Sequence, residues 1–295
     1  NALAVLERPA EATAALDAIE PSGYPGIDFY PLIDRVSLAL DQGQWEQAGV
    51  VAEQALEAGR TQDTFSYLQF CFITEVVGWR AGARDRKSSH AGTARILASA
   101  MAAPDWAPSN REDLAVMLLA NAWLAQREGD ATLAASALSH TENLTREGVL
   151  GVSSAALRRI LQAGQLAGAG RHDEAIALLA PRADDLYQSR VALYHLLAAS
   201  GRHAEAEVQA RWLLQHRGLA YIEANASQTL QPLNVADSRL ARLWLAESLA
   251  AQGKAAQAAS ETKGFLRQWP ASRLSPQLLS RVEAILSASK QKITV

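Results

Sequence analysis

Few residues of this chain have the type and spacing that metal binding or covalent catalysis requires. His172 and His203 occupy equivalent positions in two similar segments, without an H-E-x-x-H motif or a neighbouring cysteine. Cys71 is the single cysteine, so no internal disulfide can form, and its apolar surroundings are typical of an inert buried thiol. No Ser/His/Asp set lies in a G-x-S-x-G context. We therefore predict a non-enzymatic protein with no metal site and no cofactor.

Two segments contain residue types that can bind anions, but neither matches a phosphate-binding motif. Gly164, Gly168 and Gly170 follow neither the G-x-G-x-x-G pattern after a strand nor the G-x-x-x-x-G-K-[ST] pattern. The basic segment Arg80–Lys87 could hold an anion, although a solvated loop is the simpler interpretation. Anion binding is therefore not our leading expectation.

Composition excludes several classes of protein. The 295 residues carry 28 Lys and Arg against 31 Asp and Glu, a balance that disfavours a nucleic-acid partner. Hydrophobic residues make up 49% and charged residues 20%, which excludes a disordered chain. The longest apolar run, Phe65–Trp79, contains Glu75 and is too short to predict a membrane span. The compartment stays open, with the cytoplasm slightly favoured.

The pattern Gly-x-x-x-x-Ala recurs five times between segments with helical periodicity. Its copies begin at Gly43, Gly129, Gly170, Gly201 and Gly253 and end at Ala48, Ala134, Ala175, Ala206 and Ala258. We interpret each glycine as a left-handed helix cap and each alanine as a close helix–helix contact. This pattern predicts antiparallel helical hairpins, and no segment alternates convincingly as a strand. The fold class is therefore predicted to be all-α.

The remaining segments also have helical signatures. Thr61–Trp79 is predicted to form one long apolar helix, and Ser275–Pro276 to open the last helix. Ser109 and Glu112 form a capping-box pattern that would start a helix over 110–128.

The chain is expected to contain one main domain. Asn1–Ala2 resembles the remnant of a cleaved expression tag, so we expect the chain to be a piece of a longer protein. Residues 3–27 are predicted to form an N-terminal helix and linker, and residues 28–295 a single helical-repeat domain. Arg80–His90 and Arg217–Asp237 are interpreted as insertions, because neither has a clean helical stripe.

The hairpin segments resemble tetratricopeptide repeats over residues 28–270, with about half of the hairpins matching closely. The matching residues are Gly43, Trp45, Ala48 and Ala55 in one copy and Gly253, Ala258, Phe265 and Pro270 in another. The irregular hairpin lengths are similar to the helical-repeat domains of large bacterial signalling proteins, which lie beside cyclase, kinase or activator modules. The resemblance implies a right-handed α-α superhelix.

In the family that the chain resembles, the first helix of each hairpin lines a concave binding surface. When this binding role is carried over to the first helices of this chain, the resemblance implies a set of partner-binding residues before the turn glycines. They are Ile33, Ser37, Leu119, Trp123, Ile160, His195, Leu243, Trp244 and Glu247. Trp123 and Trp244 are the best aromatic anchors. Trp45, Trp79, Trp212 and Trp269 lie near turns or helix ends and are predicted to pack structurally. The alternative for each predicted site residue is helix packing.

The leading functional hypothesis is a non-catalytic scaffold or sensor that binds a protein or peptide partner on its concave face. A second hypothesis is small-molecule sensing, whose sign would be a dry cavity lined by aromatic side chains and a few polar groups. A third is a structural homodimerisation module.

Overall fold

The computed structural model describes residues 1–62, 64–80, 91–92, 94–96, 108–146, 151–223 and 228–291. Helices occupy most of these residues, and none of them forms a β-strand. The predicted all-α class is therefore confirmed. Arg80 is the last residue of a helix. The rest of the predicted basic loop and of the predicted Arg80–His90 insertion lies outside the described residues.

Sixteen helices have defined bounds in the described part of the chain. In order they are α1 (Ala2–Val5), α2 (Pro9–Asp17), α3 (Pro25–Asp28), α4 (Tyr30–Asp41), α5 (Trp45–Gln62), α6 (Thr64–Arg80), α7 (Pro108–Arg127), α8 (Thr132–Arg146), α9 (Val152–Gly168), α10 (His172–Leu179), α11 (Tyr187–Ala199), α12 (His203–Gln215), α13 (Arg217–Ile222), α14 (Gln231–Ala251), α15 (Ala255–Gln268) and α16 (Pro276–Gln291).

The five predicted hairpin turns share one geometry. All five turn glycines have positive φ, between 66° at Gly43 and 85° at Gly129. In each turn the amide after the glycine donates to a carbonyl five residues earlier, as from Arg171 to Leu166 at 2.9 Å. This is the Schellman arrangement, which satisfies the last carbonyls of a helix. The five alanines that follow are almost fully buried, so the predicted turns and close contacts are confirmed.

These turns join the pairs α4–α5, α7–α8, α9–α10, α11–α12 and α14–α15. The first helices of the later hairpins form a ring together with α6: α6 contacts α7, α7 contacts α9, α9 contacts α11, α11 contacts α14, and α14 contacts α6. Helix α4 also packs against α14. In an open solenoid each repeat contacts only its neighbours, so these contacts do not establish the predicted superhelix.

Helix α14 is central to the described part of the chain, because it packs against α4 and α6 as well as against helices from α11 to α16. Residues from Gln231 to Leu249 are buried on nearly every face of it. A helix surrounded on all sides has no polar stripe. The prediction that Arg217–Asp237 is an insertion is therefore wrong. The segment contains α13 and the first two turns of α14. It lacks a helical stripe of apolar residues because this part of α14 is buried on all sides.

The N-terminal hairpin closes onto the C-terminal helices through a buried ion cluster. Asp41, at the end of α4, accepts hydrogen bonds from Arg217 Nη2 at 2.6 Å and from Arg239 Nε at 2.6 Å. The side chain of Asp41 is 3% exposed. Next to it, the Trp269 indole nitrogen donates to the Asp41 carbonyl at 2.9 Å, and Trp45 packs edge-on against Trp269. These contacts join residues about 200 positions apart in the chain.

Helix starts are capped in two ways. Helix α16 begins at Pro276 as predicted, with Ser275 Oγ accepting from the Leu278 amide at 3.4 Å. The predicted helix over 110–128 is present as α7, Pro108–Arg127, but the predicted capping box is wrong, because Ser109 lies inside the helix rather than before it. The carboxylate of Glu112 instead caps α9, accepting from the Gly151 and Ser154 amides at 2.8 and 3.1 Å. It thereby satisfies free N–H groups of a neighbouring helix.

Candidate functional site

A cavity of about 640 Å³ lies where the C-terminal halves of α6, α7, α9 and α11 meet the middle of α14. The ring helices contribute Trp79, Trp123, Gln126, Arg127, Ile160, Gly164, Ala192, His195, Leu196, Ala199, Leu240 and Trp244. The first turns of α16 cover one side with Ser275, Gln277, Leu278 and Arg281. Since all five ring helices take part, the cavity depends on closure of the ring.

Arg127 lies at the floor of the cavity among three tryptophans. Its guanidinium carbon is 4.4 Å from the ring centroid of Trp79, 5.4 Å from that of Trp123 and 5.8 Å from that of Trp244. Cations are attracted to indole faces at these distances. Its Nη1 and Nη2 donate to the two Asp237 oxygens at 2.8 and 3.1 Å. The side chains are 7% and 0% exposed, so this pair is shielded from water.

His195 extends the same cluster. Its Nε2 lies 3.2 Å from Arg127 Nη2. Because a guanidinium can only donate, Nε2 accepts this hydrogen bond, which assigns the ring proton to Nδ1. The imidazole also packs edge-on against Trp244, with ring centroids 4.8 Å apart. His195 is thus held by both an aromatic and a polar contact.

A buried hydrogen-bond network fixes the floor of the cavity from below. Trp123 Nε1 donates to Gln188 Oε1 at 2.9 Å, and Gln188 Nε2 donates to Asp237 at 3.0 Å and to Asn234 at 2.9 Å. Asn234 in turn donates to Glu223, whose other oxygen caps the first amide of α11 at 2.6 Å. Fully paired networks of this kind rigidify a core. The network therefore holds the side chains of Trp123 and Asp237 in fixed positions.

A second ion pair lies on the α16 side of the cavity. Arg281 Nε and Nη2 donate to the two oxygens of Glu247 at 2.6 and 2.8 Å. Burial opposes the charge of the guanidinium, but its bonds to Glu247 hold the pKa of Arg281 above its usual value. The two side chains are 39% and 29% exposed, so this pair remains accessible, unlike the Arg127–Asp237 pair.

Gly164 makes room for the side chain of Gln126 at the wall of the cavity. A Cβ at this position would lie 2.2 Å from Gln126 Oε1, far inside van der Waals contact. Gln126 Nε2 donates to the Leu161 carbonyl at 3.2 Å, while Oε1 is buried without a hydrogen-bond partner among the described residues. The small residue at 164 thus allows α7 and α9 to approach closely with a polar side chain between them.

The structure brings together about half of the predicted site residues. Trp123, Ile160, His195 and Trp244 line the cavity, and Glu247 joins it through Arg281. The other four predicted residues, Ile33, Ser37, Leu119 and Leu243, are fully buried and do not line it. Ser37, for example, accepts a hydrogen bond from Gln231 at 3.3 Å between α4 and α14. These four side chains take part in helix packing.

Sequence reasoning missed most of the residues that line the cavity, including Trp79, Arg127 and Arg281. Trp79 is predicted to pack structurally near a helix end. In the structure it also lines the cavity. Arg127 follows Trp123 by four residues, a spacing that places both on one helix face and could have indicated it. Arg281 lies on α16, outside the hairpins, and no local pattern indicates that this helix covers the ring.

The remaining chemical candidates behave as structural groups. Cys71 is buried as predicted, and desolvation raises the pKa of its thiol. His172 and His203 begin α10 and α12, in the turn positions expected for them. Across the described ranges, no group of three or more His, Cys, Asp or Glu side chains could hold a metal ion.

Comparison of the chain with protein-family models, with curated proteins and with solved structures found no match. The resemblance to tetratricopeptide repeats therefore stays a prediction. Within the part of the chain that is described, no helix is long and apolar enough to cross a membrane.

Proposed function

We propose that this chain is a non-catalytic ligand-binding domain, and that the ring cavity receives a small molecule. The observation that carries this proposal is the cavity itself. Its volume of about 640 Å³ lies within the range of about 300–1,000 Å³ that is usual for small-molecule sites. Its walls combine tryptophans and aliphatic side chains with a few convergent polar groups, which is the arrangement expected for a sensing pocket.

A small ligand fits this geometry better than a peptide laid along an open groove. Ile33, Leu119 and Leu243, the apolar positions implied for a concave peptide surface, have no exposed area. A peptide could reach them only by separating packed helices. The cavity, in contrast, is bounded by six helices and carries two ion pairs, one at its floor and one on the side covered by α16.

The charged groups of the cavity also suit binding better than catalysis. Each guanidinium that lines it is held by one carboxylate through two hydrogen bonds. Such pairs are strong and geometrically fixed. A sensor within a larger regulatory protein, as the family resemblance implies, would use this fixed surface for recognition.

The proposal is tested by blocking the cavity mouth. Ala199, the exposed last residue of α11, lines the cavity, whereas Ala204 is equally exposed on α12 and does not. We expect fragments that give saturation-transfer NMR signals with the wild-type chain to bind Ala204→Trp and to lose binding to Ala199→Trp. Circular dichroism would verify that both variants fold. If no fragment distinguishes the two variants, the cavity is not a ligand site and the proposal fails.

A further inference from the structure

Two guanidinium–carboxylate pairs lie at the ring cavity, and the third charged lining residue, Glu128, is exposed to solvent, where water and salt screen its charge. Arg127 is paired with Asp237 at the floor, and Arg281 with Glu247 on the side covered by α16. In each pair both carboxylate oxygens accept from the guanidinium. Any ligand that approaches one of these cations therefore also approaches an anion.

This arrangement is unfavourable for a charged ligand of either sign. A cation would seek the indole faces, but the Arg127 guanidinium already lies against Trp79, Trp123 and Trp244. An anion would seek a guanidinium, but each is already neutralised by a carboxylate. Burying a charge without a free counter-charge is costly. The cavity therefore favours a ligand without net charge.

Hydroxyl groups match paired charges well, because one atom makes both of the hydrogen bonds for which an amide needs two. A hydroxyl both donates and accepts, so one hydroxyl can donate to a carboxylate oxygen and accept from the guanidinium of the same pair. A carbonyl can only accept, and an amide N–H can only donate. The partly exposed Arg281–Glu247 pair is placed for such a contact, with Ser275 and Gln277 beside Arg281 on the same wall.

The other walls suit the C–H faces of a ring. Trp79 is partly exposed, and Leu196 and Leu278 line the cavity with it. Resting on the proposed ligand-binding function, we infer that the cavity takes an uncharged polyhydroxylated ligand of the saccharide class. Its hydroxyls bond to the Arg281–Glu247 pair, and its C–H face packs against the apolar wall.

The inference is tested with three trisaccharides of similar size and different charge. The probes are maltotriose, a galacturonic acid trisaccharide and a glucosamine trisaccharide, which at pH 7 are neutral, anionic and cationic respectively. Titration followed by tryptophan fluorescence and by calorimetry should show that maltotriose binds at least tenfold more tightly than either charged sugar. Ala199→Trp should abolish this binding.

A matched pair of variants tests the assigned hydrogen bonds. Arg281→Gln should weaken maltotriose binding about tenfold, because it removes a hydrogen bond to a charged group. Arg202→Gln is the control: Arg202 also donates to a glutamate and is 38% exposed, but it lies in the α11–α12 turn away from the cavity. This control should bind maltotriose like the wild type.

The outcomes separate this inference from the proposed function. If a charged trisaccharide, benzoate or benzyltrimethylammonium binds more tightly than maltotriose in a way that Ala199→Trp abolishes, the saccharide assignment is overturned and the ligand site stands. The saccharide assignment is also overturned, and the ligand site again stands, if maltotriose does not bind while other fragments do. If no probe or fragment is sensitive to Ala199→Trp, both proposals are overturned.

Discussion

At the residue scale, Arg127 and Asp237 decide how the cavity floor is built. The pair is shielded from water, and such pairs are costly to form but more costly to break. Removing one partner leaves the other charge buried and uncompensated. Arg127 also fills the space between three indoles, so its stem and guanidinium contribute packing as well as charge.

We expect Arg127→Met to lower the free energy of unfolding by about 3–5 kcal/mol, because buried Asp237 would lose the guanidinium that binds both of its oxygens. The double variant Arg127→Met/Asp237→Asn should recover most of this loss. Urea denaturation of the two proteins measures both values. A single variant within about 1 kcal/mol of the wild type would contradict a shielded, mutually dependent pair.

Gly164 and Gly168 offer a second comparison within one helix. A Cβ would meet Gln126 at 2.2 Å at position 164 and nothing within 4 Å at position 168. Gly168→Ala should therefore stabilise the protein by up to about 1 kcal/mol through helix propensity.

Gly164→Ala should lose part or all of this gain, because the end of the Gln126 side chain must move out of the way. Thermal unfolding of both variants, and of Gly164→Ala in a Gln126→Ala background, checks the cause. Equal effects of alanine at the two positions would show that the close approach of α7 and α9 does not restrict residue 164.

At the element scale, helices are held in place by side chains from other hairpins. Glu207 of α12 accepts hydrogen bonds from Lys254 at 2.8 Å and Gln252 at 2.9 Å, both in the turn between α14 and α15. Arg211 donates to it from the same helix. The bond from Lys254, with those from Arg211 and Gln252, outweighs desolvation and lowers the pKa of Glu207 from 4.5 to about 2.

Because the folded-state pKa is the lower one, this contribution to stability is present above pH 4.5 and is lost as the pH falls toward 2. We expect Glu207→Gln to be less stable than the wild type at pH 7 by about 1–3 kcal/mol. The difference should shrink to near zero at pH 2. Urea denaturation across this pH range measures it, and a pH-independent difference would contradict the assigned ion pairs.

Local chemistry explains why the five hairpin turns could be predicted and the ring could not. Each turn depends on a glycine in the left-handed region and an alanine five residues later, all within one short segment. Glu112 shows the limit of such reasoning, since its carboxylate caps α9 rather than its own helix. The pattern of residue types was correct for a cap, but the partner lies about 40 residues away.

At the scale of the whole molecule, closure of the ring determines where the site lies. The residues that line the cavity come from α6 to α16, and sequence spacing alone does not show which helices meet. Trp123 and His195 could be predicted because both lie at the same position in the first helix before a turn glycine. Trp79 and Arg281 could not, because they belong to helices outside the hairpins. Ile33 and Ser37 lie on α4, outside the ring, and Ser37 is buried against α14.

The ion cluster around Asp41 should be the main support of this closure. Asp41→Asn would leave Arg217 and Arg239 with the exposed carboxylate of Glu7 in place of a buried one, and we expect a loss of about 3 kcal/mol in urea denaturation. The triple variant in which both arginines also become methionine should recover much of that loss. Unchanged stability of Asp41→Asn would mean that the N-terminal hairpin does not depend on this contact.

The central claim is that the ring cavity is the ligand site, and hydrogen–deuterium exchange with the best-binding probe tests it most directly. The account predicts slower exchange on binding in the last turns of α7 and α11 and in the first two turns of α16, where the cavity is lined. Exchange in α1, α2 and the turn at Gly170 should not change. Protection confined to those outer segments, with none at the cavity, would contradict the claim.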